Sequence, residues 1–565
     1  MLKKYSVNLE QEDAVQYLIG LFCLFVYAGS LFFPLVDKDA AHHANIALYQ
    51  YENNDWVSLI DRGKDYLDKP HFLFWASHLS FKLFGVNTFA HRFPALLFAL
   101  LSVYSTYKLT RHLSGKTTAK LAAIMLATAQ AFVLSITDAR METPLTAGII
   151  FGLWQLIIYI DRQRLVNIIL AALGAAIAFS TKGWLGPVII FVSAFFYIAL
   201  NNKWKVLASF KTWLFLPAFF LFISPVLYAF YLQYDLHPEK VVREQNNISG
   251  VKFILWDQLF ERYKGFDVGG RNSGYFFLYH TFLWAFFPWS IIAFVAVFFW
   301  LKRMLIQRKW RSPLNFAALA FAFLLFAISF SKFKMPHYII MLLPLAAIFT
   351  APYVQHVVAG RKEVRFYLPM QVILGSLVFL AIILLNYYFF KPANWLITIL
   401  GPLLLLLLAW LLIKKFQNKA AKTILVTIAL SLVFNFFLNY NFFPNLLKYQ
   451  GGNELARMIS EKNISIPHED IVVVESGAHS FEFYRQHTYR IAETHLFLEQ
   501  YPTMKDKYFL LTNEIKDYLA TKGYEVKPVI QTLDYNVTTV QLKFLNPATR
   551  IKNCDTLMLA KIYKP

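Results

Sequence analysis

Tyr17-Leu-Ile-Gly-Leu-Phe-Cys-Leu-Phe-Val-Tyr-Ala-Gly-Ser-Leu-Phe-Phe-Pro-Leu-Val36 runs without a charge into Asp37-Lys-Asp39, and this junction decides the class of fold. An uncharged run of that length crosses roughly 30 Å of hydrocarbon as a helix. The flank before it, Met1 to Asp13, is polar and mixed in charge, and no small-residue cleavage pattern follows the run. It therefore reads as a retained signal anchor.

Twelve further apolar runs of spanning length follow, near 92–112, 118–137, 143–160, 164–180, 184–200, 213–232, 276–300, 314–330, 336–354, 366–389, 394–414 and 422–440. The composition agrees: 57% of the 565 residues are hydrophobic and 18% aromatic, above the roughly 45–50% apolar content of soluble domains. The net charge of +21 does not point to nucleic acid, because the basic residues are scattered between apolar runs and form no basic stretch or aromatic-basic motif. With the N-terminus in the cytoplasm, twenty-one Lys and Arg residues fall on short inner connections, from Lys108 and Arg111 to Lys419 and Lys422. The short outer connections carry five, namely Arg140, Lys182, Lys332, Lys334 and Lys391. The positive-inside rule selects that orientation. Only Cys23 and Cys554 are present, so no disulfide framework is expected.

The expected fold is an α-helical polytopic membrane protein of about thirteen spans, with juxtamembrane helices on its outer face. Residues 1–440 make the membrane module, whose long outer segments are 37–91 and 233–275. Residues 441–565 change character, with mixed charge and alternating stretches at Asp470–Val474, Tyr508–Leu511 and Thr538–Lys543 between helical stretches near 453–462 and 513–522. That pattern predicts a small soluble α/β domain on the outer face.

Chemistry collects on that face. Asp37 and Asp39 stand where the first span reaches the surface, and Ala40 to Tyr51 reads as a helix lying along the membrane. A carboxylate at such a boundary suits a general base, because partial desolvation raises its proton affinity; it also suits a plain helix flank. Arg140, Lys182, Lys332 and Lys334 occupy tight outer turns, and Lys69 joins them from the first loop. Cations gathered at headgroup level fit a lipid phosphate or pyrophosphate. The alternative is that they snorkel or pair with acids such as Asp138 and Glu142.

Asp39 through Asp55-Trp56, then Asp68-Lys69-Pro70, Phe81-Lys-Leu-Phe-Gly-Val-Asn87 and Arg92-Phe-Pro94, resemble the first outer loop of bacterial GT-C glycosyltransferases. The relatives in view are the protein O-mannosyltransferases and the aminoarabinose transferases that modify lipid A. Arg140 to Thr146, Thr181-Lys-Gly183, Phe287-Pro-Trp-Ser290 and Ser331-Lys-Phe-Lys-Met-Pro-His-Tyr338 extend the resemblance to about residue 354. It implies Asp39 as the catalytic Asp that deprotonates or orients the acceptor, and Lys69 as the residue that grips the donor phosphate. Arg140, Lys182, Lys332 and Lys334 fall on or beside polar positions of the donor cavity. Two departures stand out. The acid usually found directly after the catalytic Asp is Ala40 here, so a second carboxylate falls to Asp37 or Glu142. The aminoarabinose branch also holds a metal between an acid before the loop Lys and a His of the fourth outer loop; Asp68 fills the first position, but 262–275 contain no His.

His337, beside Pro336, is a further candidate near the donor. His42 and His43 read as surface histidines or as one wall of an acceptor groove, and His280 as a packed or headgroup-facing residue. Gly269-Gly270 marks a flexible segment or an ordinary turn. No phosphate-binding glycine loop, dinucleotide fingerprint or Cys/His metal spacing is present. The resemblance implies an inverting transfer of a sugar from a polyprenyl-phosphate donor to a lipid, glycan or protein on the periplasmic face of the bacterial inner membrane, with no nucleic acid as partner. The rival is a polytopic lipid or glycan transporter, which predicts paired halves and charges near the bilayer midplane.

Overall fold

Two glycine-bearing helices set the heart of the membrane module. Helix α7, Glu142–Arg162, carries Gly148 and Gly152, and α8, Leu165–Lys182, carries Gly174. A Cβ on Gly174 would lie 2.5 Å from the Cα of Gly152, and one on Gly148 would lie 2.7 Å from the Gly174 carbonyl oxygen. The backbones are therefore in direct contact, which is how helices associate where lipid supplies no hydrophobic drive between them.

In this computed structural model the described residues are 9–564, apart from 38, 261–273, 311–312, 332–333, 360–363, 393, 396–397, 400, 404–405, 408–409, 411–413, 415–418, 475–476 and 490. Among them, six helices are long and apolar enough to cross a membrane, and up to eight if two bent pairs each count as one span. Shorter apolar helices at Tyr17–Ser30, Leu185–Asn201 and Asn315–Ser329 and the long α4, Thr88–Ser114, account for the remaining apolar runs except 394–414, much of which lies outside the described residues. Each described expected span is thus mainly helical, although the first helix stops at Ser30, short of Val36.

Two expected spans are not straight. Run 118–137 divides into Lys116–Ala127 and Gln130–Thr137, bent by 55°. Run 276–300 divides into Phe277–Ala285 and Ser290–Leu305, which turn on each other by 120°. Apolar length alone does not report this break, which falls at Phe286-Phe-Pro-Trp289, where Pro288 has no amide hydrogen to continue the ladder.

Between the first span α1, Leu9–Ser30, and α4 lie α2, Asp39–Glu52, a two-stranded hairpin of β1, Ile60–Asp61, and β2, Lys64–Asp65, and α3, Phe72–Phe84. Asp39 opens α2, where a carboxylate meets the positive end of the helix dipole. Arg92 of α4 is fully buried and donates to the carbonyls of Ser30 at 2.8 Å, Pro34 at 2.9 Å and Phe33. It satisfies acceptors that the end of α1 leaves open, and so fixes the chain leading to Asp37.

The last apolar stretch continues as helix to Tyr449. After it comes a five-stranded sheet in the order β4-β3-β5-β7-β6, with β3, Ile471–Val474, parallel to β4, Ile491–Ala492, and to β5, Tyr508–Thr512. β7, Asp555–Tyr563, is antiparallel to β5 and to β6, Glu525–Asp534. Residues alternate between faces: Leu510 and Leu559 pack with Leu455 and Ile459 of the helix Gly451–Glu461, while Phe509, Leu511 and Met558 pack with Ile515 and Leu519 of the helix Asn513–Thr521. The strand expected at Thr538–Lys543 is absent. That stretch is a loop entering the short helix Leu542–Leu545, because Val537 and Phe544 are pulled into a cluster with Phe33, Phe390 and Leu446 of the membrane module.

A candidate active site at the start of helix α2

Asp39 is half exposed, and its Oδ2 lies 3.0 Å from Nη1 of Arg140. Arg140 follows the turn that closes the helix Gln130–Thr137, and its Nε holds Asp138 at 2.5 Å. The same Nη1 is 2.9 Å from Nδ1 of His337, whose Nε2 lies 3.5 Å from Glu142. Glu142 opens α7 and pairs with Lys182, the last residue of α8. The Lys182 ammonium also stands 4.5 Å above the Tyr338 ring. One connected polar chain therefore runs from Asp39 through Arg140, His337 and Glu142 to Lys182, built from the ends of four separate helices. The close approach of α7 and α8 is what brings Glu142 and Lys182 together.

The charges shape one another. Burial raises the Asp138 pKa above the ordinary carboxylate range, with Arg140 opposing. Against the cost of its own burial, Arg140 is held more firmly protonated than usual by Asp138, Asp39 and Glu142. The cluster thus keeps a guanidinium permanently charged beside a carboxylate that solvent still reaches.

The other candidates are placed as follows. Lys69 pairs with Asp68 and lies within electrostatic reach of His43, one turn after Asp39 on α2. Burial, then His42 and Lys69, hold His43 well below the usual histidine range. Lys334 is buried, donates to the Ser329 carbonyl at 2.7 Å and stands 5.6 Å from the Tyr275 ring centroid; burial lowers its pKa. Lys332 and Gly269-Gly270 lie outside the described residues. His280 is exposed, edge-on to Phe277. His42 is no free surface histidine: it bonds Asp61 at 3.0 Å and packs on His43 and His479.

Asp37 is not a second carboxylate beside Asp39. Its Oδ1 accepts from the Ser480 amide at 2.6 Å and its Oδ2 from the Ser480 hydroxyl at 2.9 Å. Pairing with acids describes both Arg140 and Lys182: Arg140 holds Asp39 and Asp138 and keeps a quarter of its side chain exposed, whereas Lys182 is buried against Glu142. Among the described residues no three His, Cys, Asp or Glu side chains converge as a metal site, and Asp68 holds Lys69. The described donors do not fit a metal. Sequence reasoning missed Gln450, Ser480, Glu482 and Tyr484, whose side chains contact the chain around α2; they carry no motif, and only the fold brings them there.

Residues 68–228 match the family described as dolichyl-phosphate-mannose-protein mannosyltransferase. The chain is 26% identical over 445 residues, 78% of its length and 81% of the relative's, to an uncharacterised protein of Aquifex aeolicus. It is also 26% identical over 333 residues to the undecaprenyl phosphate-alpha-4-amino-4-deoxy-L-arabinose arabinosyl transferase of Pseudomonas aeruginosa. That match covers 57% of this chain and 56% of the relative, so the similarity spans just over half of each. Among solved structures, ArnT from Cupriavidus metallidurans bound to undecaprenyl phosphate superposes with a TM-score of 0.72 at 16% identity, covering 96% of this chain and 97% of that one. The apo oligosaccharyltransferase of Archaeoglobus fulgidus gives 0.51 at 14% identity over 91% and 71%. At such identities the structures speak for the fold, which is the GT-C fold.

Proposed function

We propose that this chain, a multi-pass membrane glycosyltransferase of the GT-C fold similar to the aminoarabinose and protein mannosyltransferases, moves a sugar from a polyprenyl phosphate to a hydroxyl acceptor with Asp39 as base. The observation that carries this reading is the half-exposed Asp39 carboxylate, 3.0 Å from a guanidinium that is itself wired to a buried Glu–Lys pair. A base needs access to its substrate, and a departing phosphate needs fixed positive charge; both stand side by side here.

The donor enters from the outer leaflet with its phosphate near Arg140 and Lys69, and with Lys182 and Lys334 adding positive field. The acceptor oxygen attacks the anomeric carbon from the face opposite the phosphate. The carbon–oxygen bond to the phosphate breaks, Asp39 takes the hydroxyl proton, and polyprenyl phosphate leaves with its charge met by Arg140. A single displacement of this kind inverts the anomeric centre. The site faces the periplasm, in keeping with the distribution of basic residues between short connections. Against a transporter stands the position of the charges: Arg140, Glu142 and Lys182 all lie at helix ends, whereas transport sites gather near the midplane.

The test is mass spectrometry of envelope lipids, glycans and secreted proteins from cells carrying the intact gene, no gene, or the Asp39→Asn form. A sugar-bearing species lost in both of the latter supports the reading and names the acceptor. Unchanged profiles in cells without the gene remove it.

A further inference from the structure

Helix α2 is gripped along its whole length by residues that follow the last membrane helix. Just before it, Leu35 N donates to the Tyr484 hydroxyl at 2.8 Å, Gln450 Nε2 donates to the Leu35 carbonyl at 2.8 Å, and Asp37 N donates to Gln450 Oε1 at 2.8 Å. The Gln450 amide thus reads two backbone groups of the segment as a neighbouring strand would. Asp37 adds its two bonds from Ser480. Midway, Asn45 Nδ2 donates to the His479 carbonyl at 2.9 Å and to Glu482 at 3.3 Å, and Glu482, fully buried, accepts from Arg62 of the β1–β2 turn at 2.5 Å. At the far end Glu52 accepts from the Thr488 hydroxyl at 3.0 Å and lies 3.0 Å from His487. Between these polar anchors Ala40, Ala44 and Phe483 close an apolar seam.

From this arrangement we infer that the C-terminal sheet domain sets the position of the Asp39 carboxylate, with Gln450 and Ser480 as positioning residues for the transfer reaction. The inference rests on the role proposed for Asp39. Contacts spread over three turns are more than a tether requires, and the densest of them lie within four residues of the base. A carboxylate that must meet a hydroxyl and a guanidinium at once tolerates little displacement: misplacement by about 1 Å costs on the order of 10²-fold in rate. Neither side chain touches substrate; each acts through the backbone and side chain of Leu35 and Asp37.

The experiment uses the purified full chain in detergent, with the polyprenyl-phosphate glycan fraction extracted from native membranes as donor and release of polyprenyl phosphate as the signal. The combined Gln450→Met and Ser480→Ala variant is expected to lower kcat by about 10- to 100-fold while donor KM stays within about two-fold, the split expected when alignment rather than binding is lost. Ser480→Thr, which keeps both the amide and a hydroxyl, is expected to retain most of the turnover. The single Ser480→Ala variant loses one bond only, and decides the matter by the same kcat and KM split if the double variant does not fold. An unchanged kcat, or a rise in KM alone, overturns the inference. An Asp39→Asn control separates the two levels: turnover in that variant defeats the assignment of the base. A silent Asp39→Asn beside fully active Gln450 and Ser480 variants defeats the positioning role alone.

Discussion

Arg140 and Asp39 are joined directly, Nη1 to Oδ2 at 3.0 Å, although one opens α2 and the other closes the turn before α7. The base and a cation beside the leaving group are therefore one unit, and a phosphate arriving at Arg140 shares a guanidinium that already serves the base.

That unit predicts a non-additive mutant cycle. Asp39→Asn is expected to lower kcat by roughly 10²- to 10⁴-fold, the range typical of a lost general base. Arg140→Gln is expected to cost about 10²- to 10³-fold through lost charge stabilisation. Residues acting together do not multiply their losses, so the double variant should fall little below Asp39→Asn alone. Steady-state kinetics on the three proteins checks this; strictly multiplicative losses would show that the two side chains work independently.

Glu142 and Lys182 form a buried pair, each side chain only 4% exposed. Removing one partner strands the other charge, so Glu142→Gln is expected to destabilise the protein by about 3–5 kcal/mol, and replacing both by apolar residues of similar size should restore most of that. The combined Glu142→Leu and Lys182→Met protein then isolates the chemistry. If Lys182 helps to hold the donor phosphate, this folded variant binds polyprenyl phosphate more weakly than wild type. Equal binding by both proteins would make the pair purely structural. Thermal melting and a lipid-binding titration read the two effects separately.

How much of this was legible beforehand differs by level. The apolar runs announced themselves because a hydrocarbon slab demands uninterrupted length; Arg140 and Lys182 stood out because cations on the outer connections run against the positive-inside rule, and Asp39 stood out through the resemblance of its loop. The partners of those charges were not legible, since Arg140 meets His337 only after the intervening helices have packed. Asp37 looked equivalent to Asp39 two positions away, yet Asp37 bonds Ser480 of the sheet domain whereas Asp39 meets Arg140. Thr538–Lys543 alternated like a strand, but Val537 and Phe544 found an apolar partner outside the sheet. The Gly148-Ile-Ile-Phe-Gly152 spacing of α7 was not singled out from the sequence, and its contact with α8 emerges only from the packed helices.

A pH dependence follows from Asp37. Burial pushes its carboxyl up to about 7, against the two Ser480 bonds that favour the charged form, while Asp534 raises it further and Arg62 lowers it. The folded chain thus keeps a proton between about pH 4 and pH 7 that the unfolded chain has already lost, so this contribution to stability is complete below pH 4 and vanishes as pH climbs through 7. The group is partly exposed, so solvent screening shrinks the effect. Melting curves at pH 5 and pH 8 should show wild type losing more stability than Asp37→Asn, whose amide offers Ser480 an acceptor and a donor without titrating. Parallel curves for the two proteins would remove Asp37 as the cause.

The contact between α7 and α8 gives the sharpest structural test. A side chain at Gly174 has no room, because its Cβ would fall 2.5 Å from both N and Cα of Gly152, and backbone cannot rotate aside as a side chain can. Gly174→Val must push the helices apart, and overpacking of this kind costs about 1–3 kcal/mol or more. The same displacement separates the first residue of α7 from the last of α8, so the Glu142–Lys182 pair opens and His337 loses its second partner. Both melting temperature and transfer should therefore fall together. Gly20→Ala is the control, since nothing lies within 4 Å of a Cβ at that position, and a change there is expected to stay within about 0.5 kcal/mol. A Gly174→Val protein that melts and turns over like wild type would mean that the two helices do not rely on this contact to bring Glu142 and Lys182 together.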